Sequence, residues 1–371
     1  MKGSRKLVRS SRRHASNAFP AVGEFDFISR VKRRAEAGLA RQPDGLVLGI
    51  GDDAAVLDGR GGRDSIITAD LLVEDIDFRR TSLPQDIGYK ALAVSLSDIA
   101  AMGARPRWAL LSLGLPRDIH DSPFATRISE GFLRAAREFG VTLIGGDMSR
   151  TPERIVIDSV VIGETPRGRA VLRSGARAGD QIFVTGTLGG AAAGLRVLEH
   201  AATLRTTRTA RARFLSGFKA LTRRQTRPTP RVECGALLGE RRLASAMIDL
   251  SDGLSSDLAH LCERSGVGAY VEAARIPVAP ALGRMRALNS KGFMRALKAD
   301  ALNLALHGGE DFELLFTARP RVAARLPARL GGVRLTRIGE VREAREGIRI
   351  SRDGRAEILQ PSGFDHFKSA R

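Results

Sequence analysis

Residues 46–57 read LVLGIGDDAAVL, an apolar run that breaks into Gly51, Asp52 and Asp53 before apolar residues resume. A short apolar run ended by glycine reads as a strand entering a loop. The arrangement returns along the chain, each time with a carboxylate where a regular element meets a Gly- or Ser-containing loop. A strand over residues 65–69 delivers Asp70. A helix over 87–102 carries Ser97 and Asp98, and Gly103 with Pro106 beyond it gives the stop signal. A strand over 141–144 runs into Gly145, Gly146 and Asp147. A strand over 244–249 delivers Asp249, and Ser251 and Asp252 lead into a helix that reaches about residue 264. Gly308, Gly309, Glu310 and Asp311 precede a strand over 312–317.

The intervening segments complete an α/β pattern. Phe27, Ile28, Val31, Ala35 and Leu39 recur at helical spacing, which predicts a helix over 26–40. Further helices are expected over 123–139, closed by Gly140, and over 191–201, after a flexible turn at 186–190. Strands are expected over 107–115 and 181–185, and 154–162 is β-rich. At roughly 150 residues per domain, 371 residues divide into two. The pattern changes near 164–170. The expected units are a basic, disordered extension over 1–22, an N-terminal domain over 23–165 and a C-terminal domain over 166–371.

Composition removes several classes. Hydrophobic residues make up 43% and charged residues 27%, which suits a globular chain with a full core. The longest apolar stretch, 91–115, is interrupted by Asp98, Arg105, Pro106 and Arg107, so no membrane span is expected. Cys234 and Cys262 form neither a metal nor a redox motif, which fits a reducing, cytoplasmic compartment. The formal net charge is +19, and 52 of the 60 basic residues are Arg. Residues 1–22 and 203–231 hold basic residues and no acid. Both read as solvated segments rather than nucleic-acid surfaces, because no aromatic interleaving accompanies the charge. Residues 1–22 also lack the apolar core of a secretory signal. GxxxxGK[ST], the HRD and DFG pair, HExxH and GxSxG are all absent, and residues 186–194 do not match GxGxxG.

A strongly basic protein that concentrates carboxylates in its loops is assembling oxygen ligands. Carboxylates suit hard cations such as Mg²⁺, which also bind phosphate oxygens. Neighbouring glycines let an anion approach the backbone. Each acid has a plain alternative: Gly-Asp-Asp as a turn, Asp98 as a structural hydrogen-bonding group, Asp249 to Asp252 as a helix cap. Their recurrence in both halves favours a polyphosphate held through several ions.

Read in order, the motifs resemble the thiamine-monophosphate kinases of the aminoimidazole ribonucleotide synthetase-like superfamily. The matching segments are GEFDFI (23–28), GIGDDAAVL (49–57), TADLLVEDIDF (68–78), YKALAVSLSDIAAMGARP (89–106), LIGGDMSR (143–150), LRSGARAGD (172–180), VTGTLGGAAAGL (184–195), RPTPR (227–231), IDLSDGLSSDLAHL (248–261), HGGEDFELLF (307–316) and GFDHF (363–367). The resemblance implies a two-domain aminoimidazole ribonucleotide synthetase-like fold of α/β (α+β) type. An N-terminal sheet domain would pair with its twin in a homodimer, and a C-terminal α/β sandwich would pack beside it. It implies transfer of the γ-phosphoryl of ATP to thiamine monophosphate, assisted by several Mg²⁺ ions; an acceptor phosphate that needs no base leads us to expect direct in-line transfer without a phospho-enzyme.

Carried over by motif, Asp53, Thr68, Asp70, Asp98, Asp147, Asp249 and Asp252 are the implied metal ligands. Gly146, Asp147, Arg173 and Ser251 are the implied ATP contacts, and Asp77, Glu310 and Phe364 fall at substrate positions. Asp98, Asp147 and Arg173 carry the expected catalytic roles. Asp77 stands where the family usually has His, Ala69 where Thr is frequent, and Met148 where a hydroxyl residue is frequent. Asp77 keeps open a second reading, another ATP-using member of the superfamily, which a substrate panel separates from the first.

Overall fold

The computed structural model describes residues 24–37, 43–287 and 301–364. The 1–22 extension and residues 365–367 of the last motif lie outside the described residues.

The N-terminal half opens with helix α1 (Glu24–Ala37). Its six-stranded sheet comprises β1 (Leu46–Leu48), β2 (Ala55–Asp58), β3 (Arg63–Val73), β4 (Arg105–Leu115), β5 (Thr142–Arg150) and β6 (Val156–Pro166), in the order β1-β2-β3-β6-β4-β5. Only the β4–β5 pair in this sheet is parallel. Helices α2 (Pro84–Ala101), α3 (Arg117–His120) and α4 (Pro123–Phe139) complete this half. Along β4 and β6 buried residues alternate with partly exposed ones, as expected when one face packs against a helix layer. That layer is led by α2, buried over nearly all its length. Gly88 on α2 and Gly131 on α4 let the two backbones touch. A Cβ on Gly88 would stand 1.8 Å from the Ile128 carbonyl oxygen, and one on Gly131 would stand 2.0 Å from that of Gln85.

The C-terminal half contains β7 (Gln181–Thr185), α5 (Gly190–Thr203), α6 (Arg208–Ser216), α7 (Lys219–Thr226), α8 (Val232–Glu240), β8 (Ala246–Asp249), α9 (Leu254–Ser265) and β9 (Val267–Glu272). It continues with α10 (Pro280–Ala287), α11 (Ala301–His307), β10 (Leu314–Ala318), α12 (Pro320–Ala323), β11 (Arg329–Leu330), β12 (Val333–Glu343), β13 (Ile348–Arg352) and β14 (Arg355–Ile358). The sheet order is β14-β13-β9-β12-β7-β10-β8, with β11 paired to β12. Strands β8 and β10 are buried throughout, the signature of a sheet covered on both faces.

The end of α2 joins the halves. Ala100 and Ala101 pack in one cluster with Phe183, Met247, Leu314 and Phe316 of the second sheet. Gly235 on α8 lies against the backbone of Ala100. This contact fixes Asp98 and β8 beside each other.

Three expectations change. Gly145, Gly146 and Asp147 lie inside β5, not in a loop after it, because pairing with β4 continues from Trp108↔Thr142 to Leu115↔Arg150. Neighbour-strand hydrogen bonds override the weak strand preference of glycine. A Cβ on Gly146 would meet the Leu111 carbonyl oxygen at 1.8 Å, so this glycine has a packing reason. Asp70 likewise sits within β3 rather than at its end. The basic stretch 203–231 is only partly solvated: Arg231 and Arg224 are held by Glu313, and Arg227 by Asp86.

Candidate active site

The site forms where the two halves meet. Asp53 enters from the loop after β1, Thr68 and Asp70 from β3, Asp98 from α2, and Asp249 from the last position of β8. The carboxylate oxygens of Asp53, Asp98 and Asp249 lie within 4.8 Å of one another. The Thr68 hydroxyl donates to Asp98 Oδ2 at 2.5 Å, and the Ser97 hydroxyl donates to Asp249 Oδ2 at 2.7 Å. Adjacent helix positions therefore serve two members of the cluster: Asp98 joins it directly and Ser97 steadies Asp249.

Such a cluster resists ionisation. Burial, then the charges of Asp70, Asp249 and Asp53, raises the Asp98 carboxyl well above its usual range. Burial and Asp53 push Asp249 up to about 8. Burial chiefly lifts Asp70 to about 6, and burial with the Asp53 charge lifts Asp52 to about 6. Asp53 Oδ2 and Asp70 Oδ2 are buried without a hydrogen-bond partner. Orphaned carboxylate oxygens on mutually repelling acids fit a hard divalent cation, which supplies the missing partner and the missing charge.

Arg173, expected at the nucleotide, is also bound into the acid cluster. Its Nε donates to Asp53 Oδ1 at 3.1 Å, and a second guanidinium nitrogen donates to the same oxygen. Its backbone N–H donates to both carboxylate oxygens of Asp52. Arg173 thus balances charge within the cluster and ties the 51–53 loop to the segment entering the second half.

The cleft over the cluster encloses about 710 Å³ and takes its walls from both halves. Thr68, Asp70 and Asp77 line one side, and Ser251, Asp252 and Glu310 the other, with Phe364 also on its wall. Phe364 is 54% exposed, and its backbone N–H donates to the Asp252 carbonyl at 3.2 Å. The Asp77 carboxylate accepts from the Val73 N–H at 2.7 Å, so this departure from the family closes a turn at the end of β3. Glu310 is a non-glycine residue at φ +65°, held by the Lys90 ammonium on Oε1 and the Gln225 amide on Oε2. Asp311, its neighbour, does not join the cluster. It accepts from the N–H groups of Gly189 and Ala191 and caps α5.

Gly146 and Asp147 are not brought to this cleft within one chain. Asp147 pairs with Ser112, Ser112 with Asp158, and Asp158 with Leu71 next to Asp70. Three strand spacings of about 4.8 Å place Asp147 roughly 14 Å along the sheet from β3.

Motif reading missed Lys90, Gln225, Asp257 and Glu313. Lys90 is 3% exposed, and its sequence signal is a lone cation opening an apolar helical run. Asp257 lines the cleft and accepts from the Gly253 N–H at 3.0 Å; burial and Asp252 raise its carboxyl well above the usual range. Glu313 is fully buried and bound bidentately by Arg231, with both bonds at 2.6 Å, and by the Thr185 hydroxyl at 2.7 Å. Burial alone would raise it, but Arg231 and Arg224 outweigh burial and hold it below its ordinary value. Arg224 then reaches the Thr187 hydroxyl at 2.7 Å, which fixes the glycine turn before α5.

Comparison with known proteins agrees with this geometry. The domain family described as AIR synthase related protein, N-terminal domain, matches residues 51–165, and its C-terminal counterpart matches 177–351. Thiamine-monophosphate kinase of Salmonella typhimurium is 39% identical over 94% of this chain and 99% of its own length. The enzyme of that name from Bacillus subtilis is 36% identical over 94% of this chain and 100% of its own length. A solved structure described as AaThiL complexed with AMPPCP and TMP superposes with a TM-score of 0.76 at 33% identity, covering 93% of this chain and 97% of that one. With acid motifs, two-domain α/β fold and near-complete coverage in agreement, the chain belongs to the thiamine-monophosphate kinase family of AIR synthase-related proteins.

Proposed function

We propose that this protein transfers the γ-phosphoryl of ATP to the phosphate of thiamine monophosphate, yielding thiamine diphosphate and ADP. The observation that carries the reading is the convergence of Asp53, Asp98 and Asp249, from the β1–β2 loop, helix α2 and the end of β8, beside a cleft that Asp53 itself lines. Family membership supports the choice of acceptor.

The acceptor phosphate already carries about −1.5 to −2 charge near neutral pH, so it needs no base to become nucleophilic. The barrier is the approach of two polyanions. Asp53, Asp98 and Asp249, with Thr68, Asp70 and Asp252 around them, would hold Mg²⁺, which would supply charge neutralisation on phosphate oxygens. Arg173 keeps Asp53 oriented. Ser251 lies on the nucleotide side, and Glu310 and Phe364 face the thiamine. The domain division at 165/166 leaves the metal floor shared, with Asp249 and Asp252 coming from the second domain.

A purified sample supplied with ATP, Mg²⁺ and thiamine monophosphate should form thiamine diphosphate by chromatography. It should form none with EDTA, and none from free thiamine. Product from free thiamine, or none from the monophosphate, would sink the reading.

We also infer a homodimer formed through β5. The support is an edge strand exposed along its length, with Ile144 55% and Met148 56% exposed. Long apolar edges invite pairing. A second copy is also the route by which Gly146 and Asp147 would reach nucleotide and metal. Sedimentation should give a dimer for the natural chain and a monomer for Ile144→Glu. A monomeric natural chain would remove both inferences. A cytoplasmic setting is supported by the buried, unbonded Cys234 and Cys262. Among the described residues no helix is long and apolar enough to cross a membrane.

A further inference from the structure

Lys90 projects from the first half of α2 onto the cleft wall, with its side chain 4% exposed. Its ammonium donates to the Asp77 carbonyl at 2.9 Å and to Glu310 Oε1. Glu310 belongs to the other half, 220 residues on, and its second oxygen is taken by Gln225 of α7. A cation and an anion therefore face each other across the cleft. Glu310 holds a left-handed backbone conformation that costs a non-glycine residue energy, a feature that concentrates at ligand-contacting positions. With the Lys90 side chain 4% and the Glu310 side chain 29% exposed, desolvation of the lysine offsets much of the attraction, so the pair contributes little net stability.

The proposed acceptor carries the same two charges. Its thiazolium is cationic, its phosphate is anionic, and a two-carbon arm joins them. Two other arginines line the cleft: Arg173, bound to Asp52 and Asp53, and Arg264, whose guanidinium lies beside Gly51 on the loop that carries those acids. Asp70 is hydrogen-bonded to Asp98 on the metal floor and also feels the charge of Asp77, whose carbonyl Lys90 contacts, which connects that floor to the wall where Lys90 sits.

We propose that Lys90 binds the phosphate of the acceptor, exchanging its contact with Glu310 for one with the substrate while Glu310 turns to the thiazolium. The internal ion pair is replaced by two intermolecular ones of the same signs. The Lys90–Glu310 pair thus keeps each charge oriented and neutralised until a ligand with both charges arrives. Free thiamine satisfies only Glu310 and leaves Lys90 with the Asp77 carbonyl but no anion, so the exchange favours the phosphorylated acceptor. The inference rests on the proposed reaction and names the group that selects its substrate.

Calorimetric titration of the full-length, Mg²⁺-loaded protein with thiamine monophosphate, thiamine and a non-hydrolysable ATP analogue tests it. Lys90→Met should weaken thiamine monophosphate binding roughly tenfold to a hundredfold, the span of a charge-assisted hydrogen bond. Affinity for the ATP analogue should not change, that for thiamine should hold or rise because Glu310 loses its internal competitor, and Lys90→Arg should recover part of the loss. Lys90→Met/Glu310→Gln leaves no unpaired charge in the wall and keeps the test readable if the single variant folds poorly; it too should lose the preference for the monophosphate. Equal losses for monophosphate and thiamine, no loss, or a loss confined to the ATP analogue would each overturn the assignment. A natural protein that converts thiamine monophosphate while Lys90→Met keeps the natural affinity ratio removes this inference alone. A natural protein that neither binds nor converts it removes the proposed reaction as well.

Discussion

Asp98 illustrates what one residue does here. It sits on a buried helix, accepts from Thr68, and faces Asp53 and Asp249 within 4.8 Å. Replacing it with Asn keeps the shape and removes one charge from the metal floor. Asp98→Asn should lower kcat by about 2–4 kcal/mol of transition-state stabilisation, by analogy with loss of one preorganised electrostatic group. Steady-state kinetics at saturating Mg²⁺ checks this, and near-natural turnover would remove Asp98 from the metal set. Asp98 was legible in the sequence as an acid out of place in an apolar helix. The Asp53–Arg173 and Lys90–Glu310 pairs were not, since their members stand 120 and 220 residues apart and nothing local marks the partner.

At the scale of elements, α2 decides the geometry. It lies under the first sheet, crosses α4, and abuts α8 and β8. Its position depends on backbone contact at Gly88 and Gly131. Gly88→Val would drive a side chain into the Ile128 carbonyl and push the helices apart. Overpacking of this kind costs about 1–3 kcal/mol, and more where backbone must move. Thermal unfolding should show a lowered midpoint, and activity should fall with it as Asp98 shifts relative to Asp249. An unchanged midpoint would mean the crossing tolerates separation. The strand containing Gly145, Gly146 and Asp147 shows the opposite limit of sequence reading. Local composition signals a turn there, and pairing with β4 makes it an edge strand.

For the whole molecule, the acid cluster couples stability to pH and to metal. Asp52 and Asp70 are raised to about 6 and Asp249 to about 8, from 3.8. Without metal, the folded chain binds more protons than the unfolded chain between pH about 4 and about 8. Its stability therefore falls as pH rises through that window. Mg²⁺ binding requires ionised ligands, so protons compete with it. The increase in melting temperature on adding Mg²⁺ to EDTA-treated protein should be larger at pH 8 than at pH 6. A larger increase at pH 6 would contradict the cluster as the metal floor.

The sequence by itself determined the family, the alternation of strands and helices, and the acids that recur along them. Those properties follow from short-range rules: periodicity, glycine turns and the chemistry of carboxylates. Only the tertiary structure decided which acids meet, that Arg173 neutralises Asp53, and that Asp77 closes a turn. It also decided that Asp147 stands on an open edge, and that Lys90 and Glu310 face each other across the cleft. These depend on how two separately built sheets are locked together around α2, and no local pattern encodes a distance between elements more than a hundred residues apart.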